Sequence, residues 1–185
     1  MEEIFTPGAI TITGITASGK TTLALKLYRD LIKIYPKSNI IILDGEELRK
    51  SMDRNYGFSP EERYKAFINV LNVVEKYVSD GYLVIIASIF YMKKMREKFR
   101  NNIPDTLEVY LDCPVEICAK RDYKGHYEKA FRGEHKMFVG VTHMYEPSFN
   151  PELTLKTGEE SQQISSKKLL DETLKRFCKL QIHED

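Results

Sequence analysis

Short runs rich in branched apolar residues alternate along the chain with longer stretches in which apolar residues recur every three or four positions. That alternation predicts strands interleaved with helices, an α/β domain with a mainly parallel sheet and helices on both faces. Ala9 to Thr13 reads as the first strand and Lys20 to about Tyr35 as the helix after it. Ile40 to Leu43 is continuously apolar, as suits a central strand covered on both faces. In GFSPEERYKAFINVLNVVEKYVSDG, Ser59 can cap a helix, Pro60 fits its first position and Glu62 completes a capping box. Tyr64, Phe67, Leu71, Val74 and Val78 then recur at helical spacing until Gly81. Leu83 to Ala87 and Leu107 to Leu111 are the next strands, with helices predicted from Lys93 and from Pro114 to about Arg121. Periodicity fades from Asp122 to Pro151 while Lys, Arg, Gly, Tyr and Phe stay dense, which suggests a functional lid over about 122–151. PELTL reads as a short last strand, and Ser165 to about Leu180 as a closing helix.

The length of 185 residues fits a single domain, 1–185, and 42% hydrophobic with 30% charged residues is an ordinary globular balance. A net charge of +1 argues against a nucleic-acid partner, which needs a concentrated excess of Lys and Arg. The opening MEEIFTPGAITIT lacks a basic region followed by a long apolar run, and no stretch approaches the roughly 20 apolar residues of a membrane span. No membrane partner is expected, and the expected compartment is the cytoplasm. Cys113, Cys118 and Cys178 contain no Cys-x-x-Cys pair, so they read as buried or idle thiols. His126, His135, His143 and His183 lack the spacing of a helical metal site.

The chemistry enters at GITASGKTT. Gly14, Gly19, Lys20 and Thr21 satisfy Gly-x-x-x-x-Gly-Lys-Thr between a predicted strand and a predicted helix. Such a loop lets backbone N–H groups approach phosphates closely at a helix N-terminus, with Lys20 as a cation and the Thr21 hydroxyl as a ligand for Mg²⁺. A nucleoside triphosphate with Mg²⁺ is the expected ligand. No Asn-Lys-x-Asp base reader is present, and the Asp-x-x-Gly at Asp122 to Gly125 lies far downstream of where a GTPase switch has it. A motor would be longer, so phosphoryl transfer to a small molecule leads.

IIILDGEELRK places Asp44 and Glu46 just beyond the second strand, at the edge where open α/β sheets bind ligands. Phosphoryl transfer calls for a carboxylate to orient or deprotonate the acceptor hydroxyl and another to hold the water shell of Mg²⁺, and Asp44 and Glu46 could meet both tasks. Arg49 and Arg63 could converge on an anionic acceptor, while Phe58 and Phe138 could clamp a base by stacking. The expected partner is thus a small-molecule nucleotide acceptor.

These residues, with GITASGKTT, LDGEELR, GFSPEER, YLDCPVEICAKRDYKGHYEKA and YEPSFNPEL, make the chain resemble the adenylylsulfate (APS) kinase family from Gly14 to about Thr157. The resemblance implies a P-loop fold of the nucleoside-monophosphate-kinase type, a homodimer, and transfer of the ATP γ-phosphate to the 3′-hydroxyl of adenosine 5′-phosphosulfate, giving PAPS. It puts the ATP site on Ala17, Ser18, Gly19, Lys20, Thr21 and Thr22, with Arg121 opening the lid. It puts the acceptor contacts on Glu46, Arg49, Phe58, Arg63, Ile89, Lys124 and Phe138. The chain departs from the family at Glu46, where an Asp is usual; at Ala66, Ile68 and Asn69, where polar or cationic groups are usual; at Phe90, in place of a serine that some members phosphorylate; and at Phe131 and Arg132, where an arginine is shifted by one place. All lie on the acceptor side. They leave open a related nucleotide acceptor, such as a cytidine diphosphate derivative with a phosphoramidate end, a mononucleotide acceptor, or a nucleotide-binding sensor without transfer activity.

Overall fold

A computed structural model describes residues 2–52 and 56–181. In chain order its elements are β1 (Glu2–Phe5), β2 (Gly8–Thr13), α1 (Lys20–Ile34), β3 (Ile40–Asp44), α2 (Gly45–Lys50), α3 (Pro60–Ser79), β4 (Leu83–Ala87), α4 (Lys93–Asn102), β5 (Thr106–Leu111), α5 (Val115–Arg121), α6 (His126–Phe131), β6 (Leu153–Leu155), α7 (Gln162–Phe177) and β7 (Cys178–Gln181). Five strands form a parallel sheet in the order β3-β4-β2-β5-β6. The P-loop topology is that expected from the sequence, with the first long strand at the centre.

The apolar strands are continuous because alternate residues feed opposite cores. Ala9, Val84 and Ile86 pack with Phe67, Leu71 and Val74 of α3 and Phe99 of α4. Ile10, Ile12, Leu83 and Ile85 meet Leu23, Leu27 and Leu31 of α1 and Leu169 and Phe177 of α7. Each such side chain contributes about 1.5–3 kcal/mol when fully buried. The α3 helix starts where its cap requires: the Ser59 hydroxyl accepts the Glu62 N–H and Pro60 occupies the first turn. Among the described residues no helix is long and apolar enough to cross a membrane.

An ion cluster fastens the chain returning from the lid. Glu108 of β5 is buried, with Arg96 Nε at 3.4 Å and Arg100 Nη2 at 3.0 Å. Arg100 also pairs with Glu152 at 2.5 Å, and Arg96 donates to the carbonyls of Phe90 and Glu146. Removing one partner of such a buried set leaves an uncompensated charge, so the cluster pins this segment to the sheet edge.

Two sequence expectations are corrected. The closing helix is not Ser165 to Leu180: it begins at Gln162, because the Ser161 hydroxyl caps it by accepting the Ile164 N–H, and it ends at Phe177. From Cys178 the chain instead pairs antiparallel with Glu2–Phe5, a long-range ribbon that local pattern does not encode. The lid is not wholly irregular, since it contains α6, whose inward positions are Tyr127 and Ala130. Two inward positions are too few to register as a helical period. His183 lies outside the described residues.

Candidate functional site

The strands β2, β3 and β4 end side by side at Thr13, Asp44 and Ala87, and the loops leaving them open into one cavity of about 890 Å³. Gly14, at φ +151°, makes the first turn; a Cβ there would lie 2.9 Å from the Leu111 carbonyl oxygen. Ala17 holds a left-handed φ of 59°, an unfavourable conformation for a non-glycine residue and a mark of a loop shaped for a ligand. The loop then runs through Ser18 and Gly19 into the N-terminus of α1. Ala17, Ser18, Gly19, Lys20, Thr21 and Thr22 all line the cavity.

Lys20 donates from Nζ to the Ile15 carbonyl at 2.6 Å. Burial of its ammonium lowers its pKa to about 8, against the opposing pull of Cys118, Asp44 and Glu46. The loop is therefore short of negative charge, which the phosphates of a nucleotide supply.

Asp44 joins this loop to the next one. Its Oδ2 accepts the Thr21 hydroxyl at 3.0 Å, and its Oδ1 accepts the N–H groups of Glu46 at 2.9 Å and Glu47 at 3.3 Å, capping α2. A hydroxyl and a carboxylate brought together beside a phosphate cradle are hard oxygen donors, and they fit the requirements of Mg²⁺. The turn is tight: at Gly45 a Cβ would fall 2.3 Å from Ser88 Oγ, so the α2 and β4 loops touch. Glu46 stands exposed on the cavity wall and pairs with Lys50 at 3.0 Å. The hydrogen bond from Lys50 is the main cause holding its carboxyl below the usual range, with Lys124 and His126 adding to it.

Ile89, Arg121 and Lys124 also line this cavity. Arg121 Nη2 donates to the Thr157 carbonyl at 2.8 Å, and Thr157 Oγ1 donates to the Ser18 carbonyl at 2.8 Å. The lid is anchored to the phosphate loop by Tyr127, whose hydroxyl donates to the Thr16 carbonyl at 2.8 Å. Burial pushes the Cys118 thiol up to about 12, which makes it an inert core group, and the Cys113 thiol is buried as well.

Arg49, Phe58, Arg63 and Phe138 form a second cluster outside that cavity's lining. Arg49 Nη2 donates to the carbonyls of Tyr56 and Gly57, each at 2.6 Å, and its guanidinium lies 4.5 Å over the Phe58 ring. Arg63 donates to the Phe58 carbonyl and to the Met137 carbonyl, both at 3.0 Å. It thereby ties together the segments that carry the two phenylalanines. Phe58 is exposed, whereas Phe138 packs edge-on against Tyr127 at 4.9 Å. The arginines thus shape the wall through the backbone, a use that residue type alone does not reveal.

Sequence reasoning missed Ser88, His126, Thr157, Glu160, Gln162 and Ser165, which also line the cavity. The Ser161 cap is the one local signal that the chain reaches this wall as a helix start. The others arrive by long-range packing. Of the departures from the family pattern, Ala66 and Phe90 are buried in the core, and Asn69 donates to the Tyr56 hydroxyl at 2.5 Å.

The chain is similar to known proteins over most of its length. Residues 6–156 match the family described as adenylylsulphate kinase. The adenylyl-sulfate kinase of Thermodesulfovibrio yellowstonii is 39% identical over 163 residues, covering 87% of this chain and 80% of its own length. That of Clostridium kluyveri is 37% identical over 164 residues, with 88% and 81% covered. The solved structure of the Mycobacterium tuberculosis APS kinase in complex with AMPPNP and APS superposes with a TM-score of 0.83 at 29% identity, covering 92% of this chain and 98% of that one.

Proposed function

The chain belongs to the adenylylsulphate kinase family, and we propose that it transfers the γ-phosphate of ATP to the 3′-hydroxyl of adenosine 5′-phosphosulfate, releasing ADP and PAPS. The observation that carries this reading is the meeting of the phosphate loop, the Thr21–Asp44 pair and the Glu46 carboxylate on one cavity.

In this reading the loop N–H groups and Lys20 hold the donor phosphates, and Arg121 lies at the edge of the donor site. Thr21 and Asp44 would hold Mg²⁺. When bound, that ion neutralises phosphate charge. Glu46 accepts a hydrogen bond from the acceptor 3′-hydroxyl. As the hydroxyl oxygen bonds to the γ-phosphorus and the bond to the β–γ bridging oxygen breaks, its proton passes to a Glu46 carboxylate oxygen. Because Lys50 keeps Glu46 a weak base, the carboxylate chiefly orients the nucleophile, which suits a loose transition state with late proton transfer. Ile89, Lys124, Phe58 and Phe138 bound the acceptor, with Arg49 and Arg63 setting the wall. The lid over 122–151 excludes water that would otherwise consume ATP. The active form is a homodimer; a monomeric mass by light scattering would remove that part.

A second reading is favoured by the apolar replacement at Ala66 and the engagement of Asn69 by Tyr56: an acceptor nucleotide with a different 5′ substituent, such as a cytidine diphosphate derivative. The test is a mass-spectrometric assay with MgATP against APS, nucleoside monophosphates and cytidine diphosphate derivatives. PAPS formed from APS at the highest kcat/KM is the expected outcome. A 3′-phosphorylated product from another nucleotide, with none from APS, overturns the sulfate reading and keeps the kinase.

A further inference from the structure

Which way the N–H groups of the phosphate loop point is decided by what holds its carbonyls. The Ile15 carbonyl accepts Lys20 Nζ at 2.6 Å, the Thr16 carbonyl accepts the Tyr127 hydroxyl at 2.8 Å, and the Ser18 carbonyl accepts Thr157 Oγ1 at 2.8 Å. In a trans peptide the N–H points away from the C=O of the same unit. Fixing those three carbonyls therefore turns the N–H groups of Thr16, Ala17 and Gly19 the other way, and all three residues line the cavity. Among the described residues none of these N–H groups donates to the protein itself.

Two of the three side chains come from far along the chain. Tyr127 belongs to α6 of the lid, is buried, and has its own N–H held by Asp122 Oδ2 at 2.7 Å. Burial raises the pKa of its hydroxyl, which stays a donor. Thr157, two residues after β6, is buried as well, and Arg121 Nη2 holds its carbonyl at 2.8 Å. At the next residue, Gly158, a Cβ would fall 2.7 Å from Pro114 Cδ. Both hydroxyls thus arrive on segments that are themselves fixed. Between the carbonyls they hold sits Ala17, at its left-handed φ of 59°. A non-glycine residue keeps such a conformation only where its surroundings over-determine it, and the two hydroxyls, one on each side, supply that constraint.

Resting on the donor half of the reading above, we propose that Tyr127 and Thr157 are positioning residues for phosphoryl transfer: their hydroxyls hold the Thr16 and Ser18 carbonyls so that the loop already presents its N–H groups when the donor phosphates arrive. The atoms that meet the phosphates remain those of the loop. Loss of either hydroxyl frees one peptide to turn and leaves Lys20 and the other N–H groups in place, so binding is weakened and not abolished.

The experiment titrates MgATP and MgADP calorimetrically into wild type, Y127F, T157V and T157S, each well below its ligand-free Tm. Y127F keeps the ring that packs on Phe138, T157V keeps the shape of the threonine, and T157S keeps its hydroxyl. Y127F and T157V are expected to bind both nucleotides about fivefold to tenfold more weakly, and T157S to bind them as wild type does. In turnover the ATP KM rises by the same factor while the acceptor KM stays at its wild-type value. A role in folding alone would lower Tm and leave the affinities of the folded protein unchanged, so wild-type affinity in Y127F or T157V overturns the proposal. Binding by T157S as weak as by T157V overturns it too, since the hydroxyl would then be without effect. Should Y127F fail to fold, T157V and T157S decide alone. Wild type that binds ATP but makes no PAPS from APS overturns the acceptor reading and leaves the role of the two hydroxyls standing. Wild type that binds neither nucleotide overturns the donor reading, and that role with it.

Discussion

The proposed donor and acceptor ends are built in different ways. The donor end is a single stretch of loop between β2 and α1, closed by backbone geometry and by short bonds such as Lys20 to the Ile15 carbonyl. The acceptor end joins Glu46 on the cavity wall to a cluster outside the cavity's lining, assembled from α2, the start of α3 and the lid, whose segments meet through side chains reaching across the fold, Arg63 to Met137 foremost. A ligand site made by one local loop tolerates drift in the rest of the sequence, whereas one made by distant segments can be retuned by changing any of them. The departures from the family pattern, at Glu46, Ala66, Asn69 and Phe131, follow that division: they fall at the assembled end and spare the local one.

The largest expected effect breaks the donor end. Lys20→Ala lowers phosphoryl transfer by about 10³-fold or more, since it removes a preorganised cation from the phosphates, while the circular dichroism spectrum stays that of the folded protein. Retained turnover would break the comparison at its root.

Asp44→Asn tests the joint between the ends. Asparagine still accepts the Glu46 and Glu47 N–H groups as a cap, so Tm changes little, but the lost charge beside Thr21 lowers kcat by about 10²-fold. A large fall in Tm with kcat preserved would mean that Asp44 serves only as the α2 cap.

Arg63→Ala sharpens the acceptor end. It frees the Phe58 and Met137 carbonyls, bonds that contribute about 1–3 kcal/mol together, and raises the acceptor KM by about tenfold while leaving the ATP KM alone. An equal rise in both constants would show that the two ends are mechanically one.

The smallest effect concerns stability without ligand. Lys20 has a folded pKa of about 8, below its ordinary value of 10.5. Below pH 8 it is protonated in both folded and unfolded states, and the fold bears the desolvation. Between pH 8 and 10.5 only the unfolded state keeps the proton, so wild-type stability from this group rises with pH across that window. Lys20→Met therefore raises the ligand-free Tm at pH 7, by about 1 kcal/mol or roughly 2–4 °C after allowance for solvent screening. That advantage shrinks as pH rises past 8. A Tm difference that does not vary with pH would show that the ammonium is solvated in the free protein.

Much of this was legible in the sequence where the cause is local. The phosphate loop, the Ser59 cap with Pro60, and the strand at Leu83–Ala87 were read in place because each depends on neighbours a few residues apart. The closing helix was misplaced because the pairing of Cys178–Gln181 with Glu2–Phe5 spans the whole chain. The short α6 escaped because its anchors are Thr16 and Asp122, which a periodicity window around it does not weigh as contacts.

By itself the sequence determined the phosphate loop, the alternation of strand and helix, and the family, since backbone conformation and apolar period are written in adjacent residues. Only the tertiary structure decided which cations face the cavity. A charged side chain takes whichever acceptor the fold brings within reach, so Arg49 and Arg63 are drawn to main-chain carbonyls outside the cavity's lining, while Lys124 lines the cavity itself.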